Sequence, residues 1–520
     1  MGAGRFGDRY NATSDILDGA VDRGHGDREA IRTPDRSLTY ADLIAASNRF
    51  GNALLGLGVA MENRVLVALL DAPEFAAAFF GAIKVGAVPI PVNTNLKAHD
   101  YAHLLNDSRA VAAVVSAPLA GALREARPQA PFLKHLIVTG EAGPGEVGFE
   151  ELTAAASEVL DPAPTTPDDM CFWLYTSGTT GRPKGAVHLQ HDMRVCIDNF
   201  ALPVLGMRET DVTFSVAKLY FAYGLGNALH FPLATGATTI LIPGPPSPAA
   251  VLETVRTQRP TVYFGVPTSY ASLLAAGLLQ EGDFSSVRIC VSAGEPLSGS
   301  ILERWQSRTG TDILDAIGST EVLHCFISNR IGDIRPDCSG TVVPGYEARV
   351  VDADGRDLPD GEVGNLMVSG DSICSHYWNQ HDRTRRTIIG EWIDTGDKYV
   401  RDTDGRFRYQ GRTDDMLKVG GIWVSPAEVE AAINAHPAVL ECAVVGRAGP
   451  GGLVTAEAHV VLQRPGDGSA DLADQLRTHV RERLAHFKCP RDFHFVESLP
   501  KTATGKIQRF RLRIPEAAAP

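Results

Sequence analysis

The sequence predicts an α/β fold: a large N-terminal domain of several layers followed by a small α+β domain. Three observations lead there. Residues 13–170 alternate helix and strand signals, the pattern of parallel sheets covered by helices. Residues 340–411 turn β-rich, with Asp-Gly turns at 354–355 and 404–405 between short alternating runs. Beyond residue 419 the chain starts afresh with its own helix signal, strand and second helix. A chain of 520 residues exceeds what one core usually holds. The expected division is therefore 1–411 for the large domain, 412–418 for a hinge and 419–520 for the small one.

Composition narrows the class of function. Apolar residues make up 44% and charged residues 21%, ordinary for a soluble globular chain. The 62 acidic residues outnumber the 49 basic ones, for a net charge of −13. That balance argues against general binding to nucleic acid or anionic membranes, so an anionic ligand must meet a local basic site. The eight cysteines are scattered without a C-x-x-C pair, which points to neither a zinc site nor a disulfide framework. Reduced thiols and a cytoplasmic location are expected. The first fifteen residues lack the apolar stretch of a signal peptide. No apolar run reaches the roughly eighteen residues that span a bilayer.

Taken in order, Thr39-Tyr-Ala-Asp42 is a capping box, and Leu43, Phe50, Leu54 and Leu57 follow at near-helical spacing. A strand is expected over 64–70, a helix over 73–85, and strands over 110–116 and 135–139. A Pro-rich loop, 161–167, leads to the apolar run 170–174, read as a buried strand. Next comes Tyr175-Thr-Ser-Gly-Thr-Thr-Gly-Arg-Pro-Lys-Gly185. Its small residues let backbone approach a ligand, and its glycines permit the positive φ angles that align successive N–H groups. With hydroxyl donors and the charge of Lys184, the stretch suits phosphate oxygens. It is not a P-loop, because Lys184 is followed by Gly185 rather than a hydroxyl residue that could hold magnesium.

Aromatic and small residues gather at 215–228, around Lys218 and Phe221-Ala-Tyr-Gly224. Core packing and a flat apolar slot both fit that composition. No acid occurs from 212 to 244, so a substrate ammonium would find no partner there. Strands are expected over 261–266 and 287–292, the second ending in the turn Ala293-Gly-Glu-Pro-Leu297. In Asp315-Ala-Ile-Gly-Ser-Thr-Glu321 an acid follows a Gly-Ser-Thr turn. Such an acid can bind a hard cation. Equally, Ser319 or Thr320 can cap a helix whose dipole favours Glu321. On that helix His324 would lie one turn further on, either touching substrate or serving as a structural histidine. Trp392-Ile-Asp-Thr-Gly-Asp397 places a carboxylate at a tight turn, where it can accept from ribose hydroxyls or simply form the turn. Ser425-Pro-Ala-Glu428 is a capping box with proline at the first helical position. It opens a helix over 426–435, followed by a strand over 440–445 and a helix over 472–486.

Together these ordered stretches resemble the adenylate-forming superfamily of acyl- and aryl-CoA ligases, adenylation domains and beetle luciferases. The form of 218–224 looks like benzoate-type CoA ligases. The resemblance implies that Thr176, Ser177, Gly178, Thr179, Thr180 and Lys184 bind the ATP phosphates. It implies that Gly294, Glu295, Pro296, Asp315, Ala316 and Ile317 border adenine, and that Asp397, with Arg412, holds the ribose. Many relatives carry an aromatic where this chain has Ile317, so the face under adenine is expected to be aliphatic. Phe221, Ala222, Tyr223, Gly224, Gly318, Ser319 and His324 match the aryl pocket. Thr320 and Glu321 match residues that contact the α-phosphate and magnesium. Asp414 matches the hinge, Gly420 and Gly421 the thioester step, and Lys506 the catalytic lysine. The implied reaction uses ATP, Mg2+ and CoA to activate benzoate or a hydroxybenzoate such as salicylate. No carrier-protein segment follows Pro520, so the acceptor is expected to be free CoA or a separate carrier protein. Ring substituents and a homodimeric state stay open.

Overall fold

A computed structural model describes residues 6–176, 183–413, 415–419, 422–448, 454–501 and 507–513. The alternation in the first third folds into a five-stranded, all-parallel sheet. Its order is Val88–Pro91, Arg64–Ala68, Ala112–Ser116, His135–Thr139 and Val147–Gly148. The central strand Ala112–Ser116 is buried along its whole length, as a strand covered on both faces must be. Helix Tyr40–Gly56 starts at the expected box: Thr39 accepts from the Asp42 N–H while the Asp42 carboxylate accepts from the Thr39 N–H. It packs against helix Pro73–Lys84 through two glycines. A Cβ on Gly81 would stand 2.4 Å from the Ser47 carbonyl oxygen, so the two backbones touch.

A second sheet has nine strands. Its order runs Thr341–Val342, Cys325–Ser328, Ile313–Gly318, Ile289–Ser292, Val262–Gly265, Val212–Ser215, Thr238–Ile240, Glu29–Arg32 and Ser37–Thr39. The strands from Ile313–Gly318 to Glu29–Arg32 are parallel, and the outermost pairings on either side are antiparallel. A third, small sheet is antiparallel and packs beside Val88–Pro91 of the first sheet. The strand expected over 170–174 runs on as Met170–Thr176 and turns back as Lys184–Leu189, with Thr176 opposite Lys184. The described ends of the 175–185 motif, Tyr175–Thr176 and Lys184–Gly185, thus lie on paired strands, and His376–Tyr377 adds a third strand beside Lys184–Leu189.

The β-rich region forms an antiparallel sheet of Tyr346–Val351, Val363–Gly370 and Trp392–Arg401, with Ile388–Ile389 and Phe407–Arg412 both paired to Trp392–Arg401. The C-terminal part has its own mixed sheet, centred on Val454–Leu462, with helices Pro426–Asn434 and Ala470–Arg481. Ser425 caps the first of these by accepting from the Glu428 N–H, but the Glu428 carboxylate bonds Lys488 at 2.6 Å instead of closing the box. Among the described residues no helix is long and apolar enough to cross a membrane.

Another expectation fails. Residues 319–324 do not open a helix; they form the tight connection between antiparallel strands Ile313–Gly318 and Cys325–Ser328. Ser319 does cap, but only a turn, by accepting from the Val322 N–H at 3.2 Å. The local cap signal was real; the pairing of the two strands overrides its continuation into a helix.

Candidate active site

Parallel strands leave ligand room beyond their carboxyl ends. Strands Ile289–Ser292 and Ile313–Gly318 are neighbours in register, Ser292 opposite Asp315. Their outgoing turns, 293–297 and 319–324, therefore emerge side by side. Gly294 takes a left-handed φ of 92° in the first turn, and Gly294 and Pro296 are exposed there while Glu295 is half-buried. Asp315 lies beneath, buried. Burial drives its carboxyl well above the usual range, against the Ala316 and Leu297 N–H groups that bond it. Ala316 is buried and Ile317 half-buried on the same strand.

The second turn presents Glu321 to Lys184. Their N–O separation is 2.8 Å, and the Tyr377 hydroxyl lies between them, accepting from Lys184 at 2.7 Å and donating to Glu321 at 2.8 Å. The Lys184 ammonium also stands 4.1 Å from the centroid of the Tyr377 ring. Burial pushes the Glu321 carboxyl up, but the Lys184 charge and the bonds from Lys184 and Tyr377 hold it below the usual carboxylate range. Burial and the Glu321 charge push the Tyr377 phenol up, so it remains a donor. The turn has a second support that sequence reading missed. His188 faces Asp192 Oδ2 through Nδ1 at 2.7 Å and the Thr320 carbonyl through Nε2 at 2.8 Å. Both side chains of that pair are fully buried.

The paired strands Trp392–Arg401 and Phe407–Arg412 put Asp397 opposite Arg412. Arg412 donates to Asp397 Oδ1 and to the Thr395 carbonyl, each at 2.9 Å, which fixes the carboxylate at the turn. Gly396 has a φ of 71°, and a Cβ there would sit 2.8 Å from the Arg412 guanidinium.

Phe221 and Tyr223 are half-buried and Ala222 is buried. Tyr223 donates to the Val291 carbonyl at 3.2 Å, and its ring lies 5.5 Å from that of His324. His324 is itself enclosed by Phe231 at 4.4 Å and Phe200 at 5.2 Å, with Nε2 3.1 Å from Asn227 Oδ1. Burial pushes its imidazole down to about 3, so it is neutral at ordinary pH. The glycines act differently from a simple opening of the slot. A Cβ on Gly224 would fall 2.1 Å from the Lys218 carbonyl oxygen, and one on Gly318 2.5 Å from the His324 carbonyl oxygen. Each allows a close backbone approach.

Thr176 and Lys184 are thus placed as the last pair of the two strands, next to the connection between them. Ser177, Gly178, Thr179, Thr180, Asp414, Gly420, Gly421 and Lys506 lie outside the described residues. Tyr377, His188 and Asp192 were not singled out from the sequence. Tyr377 is 193 positions from Lys184 and Thr320 is 132 from His188, so no local spacing could pair them.

The fold and this cluster define the class: the chain belongs to the AMP-binding enzyme family. The AMP-binding enzyme domain matches residues 19–378 and the AMP-binding enzyme C-terminal domain matches residues 428–506. The chain is similar to a benzoate–CoA ligase of Thauera aromatica, 49% identical over 510 residues that cover 97% of this chain and 96% of the relative. It is 43% identical to a 4-hydroxybenzoate–CoA/benzoate–CoA ligase of Rhodopseudomonas palustris, over 97% of this chain and 94% of that one. Among solved structures, an anthranilate CoA ligase in complex with anthranoyl-AMP aligns with a TM-score of 0.95 and 42% identity, covering 99% of this chain and 98% of that one.

Proposed function

We propose that this enzyme is an AMP-forming aryl-CoA ligase for benzoate or a hydroxybenzoate. The observation that carries the reading is the Lys184–Tyr377–Glu321 cluster, which joins the start of strand Lys184–Leu189 to the turn after strand Ile313–Gly318. It is supported by relatives acting on benzoate, 4-hydroxybenzoate and anthranilate that match over nearly the whole chain.

A carboxylate oxygen of the acid attacks the α-phosphorus of ATP. The bond from that phosphorus to the bridging oxygen breaks and pyrophosphate leaves. Charge spreads over phosphate oxygens in this step, and positioned cations and donors stabilise it. Lys184 and the 175–185 loop hold the departing phosphates, Asp397 fixes the ribose, and Lys506 bridges the carboxylate and the α-phosphate. In the second step the CoA thiolate attacks the acyl carbon, the carbon–oxygen bond to phosphate breaks and AMP leaves.

Magnesium fits the residues present. That ion is commonly held by one or two carboxylates plus substrate phosphates, and Glu321 is a carboxylate kept ionised. When bound it supplies positive charge to the phosphate oxygens.

The test is product mass analysis after mixing the enzyme with ATP, magnesium and a panel of aryl acids, with and without CoA. The expected product is an aryl-CoA from benzoate or a hydroxybenzoate. An aryl-adenylate that CoA does not consume would transfer the reading to loading of a carrier protein.

A further inference from the structure

Lys218 itself has no part in the chemistry above. It follows strand Val212–Ser215 of the nine-stranded sheet. Asp71 belongs to the other large sheet, in the turn between strand Arg64–Ala68 and helix Pro73–Lys84. The Lys218 ammonium lies 3.5 Å from Asp71 Oδ2 and donates to the Ile242 carbonyl at 2.7 Å. The other Asp71 oxygen accepts from the Leu219 N–H at 3.2 Å. One carboxylate thus grips the segment twice, by a side chain and by the next residue's backbone.

That backbone leads directly into the aryl pocket. The Lys218 carbonyl accepts from the Phe221 N–H at 3.0 Å and is the atom against which Gly224 packs. We infer that Asp71 and Lys218 are positioning residues that set the shape of the aryl pocket by clamping the turn from Lys218 to Gly224 across the two sheets.

The energetics fit positioning better than bracing. Both side chains are largely buried. Burial pushes the Asp71 carboxyl up to about 6 despite Lys218 and the Leu219 N–H. Desolvation therefore outweighs the attraction, as it commonly does for a buried pair. A pair that adds little stability but fixes the carbonyl on which Phe221 and Gly224 rest should affect substrate fit more than folding.

The inference rests on the aryl-CoA ligase reading, and the experiment separates the two. Wild type, Asp71→Asn, Lys218→Met and the double variant are compared for kcat, KM of benzoate, KM of ATP and Tm. Asp71→Asn keeps an oxygen for the Leu219 N–H while removing the charge. The expected result is a benzoate KM raised about 5-fold or more in each single variant, with ATP KM within about 2-fold and the order of preference among ring-substituted acids altered. In the double variant the effects should be non-additive, as for residues in contact. A lowered Tm with unchanged benzoate KM would overturn the inference in favour of a plain strut, and so would equal rises in both KM values. If one single variant does not fold, the other carries the same comparison. A wild type that forms neither aryl-AMP nor aryl-CoA overturns the underlying reading and this inference with it.

Discussion

Tyr377 connects the two charged groups of the site. Its hydroxyl accepts from Lys184 and donates to Glu321. Tyr377→Phe keeps the ring beneath the ammonium and removes only that bridge. Hydrogen bonds to charged groups contribute about 1.5–3 kcal/mol. The expected outcome is a loss of about 10–100-fold in adenylation, read by ATP–pyrophosphate exchange. Exchange at the wild-type rate would make the hydroxyl a bystander. This residue also marks a limit of sequence reading. Lys184 and Glu321 stand in recognisable stretches, whereas Tyr377 is an ordinary aromatic in a two-residue strand whose partners fold back from far along the chain.

At the scale of elements, most of what could be read locally was found. The Thr39–Asp42 box, the helix after Pro73 and the strand His135–Thr139 depend on neighbours within one element, and each forms where its signal lies. The strand Lys184–Leu189 and the connection at 319–324 depend on strand pairing, which spacing alone does not disclose. Helix packing gives the sharpest test. Gly81 faces the Ser47 carbonyl and the Gly51 nitrogen, which are backbone atoms and cannot rotate aside. Gly81→Ala should therefore cost about 1–3 kcal/mol, the range for overpacking. A lower denaturant midpoint with an unchanged slope would show it. An unchanged midpoint would mean that the helices separate at little cost.

For the whole molecule, the order of motifs outlines a two-part architecture, and the family models match residues 19–378 and 428–506. The proposed role of Lys506 in the small part makes a prediction about the two half-reactions. Lys506→Ala should lower adenylation by at least about 100-fold, the scale of losing one key electrostatic group. Thioester formation from supplied aryl-adenylate should remain largely intact. Equal loss in both steps would remove Lys506 from its assigned place.

The mutual pairing of Lys184 and Glu321 gives the proposed site a logic of coincidence. A lone anion that drew Lys184 away would strand a largely buried carboxylate, and a lone cation on Glu321 would displace the ammonium from its partner. Breaking a buried pair from one side alone is costly. A ligand that brings both signs at once leaves neither charge stranded. On the proposed reading the cluster would work as an AND gate, answering nucleotide and metal together and resisting each by itself.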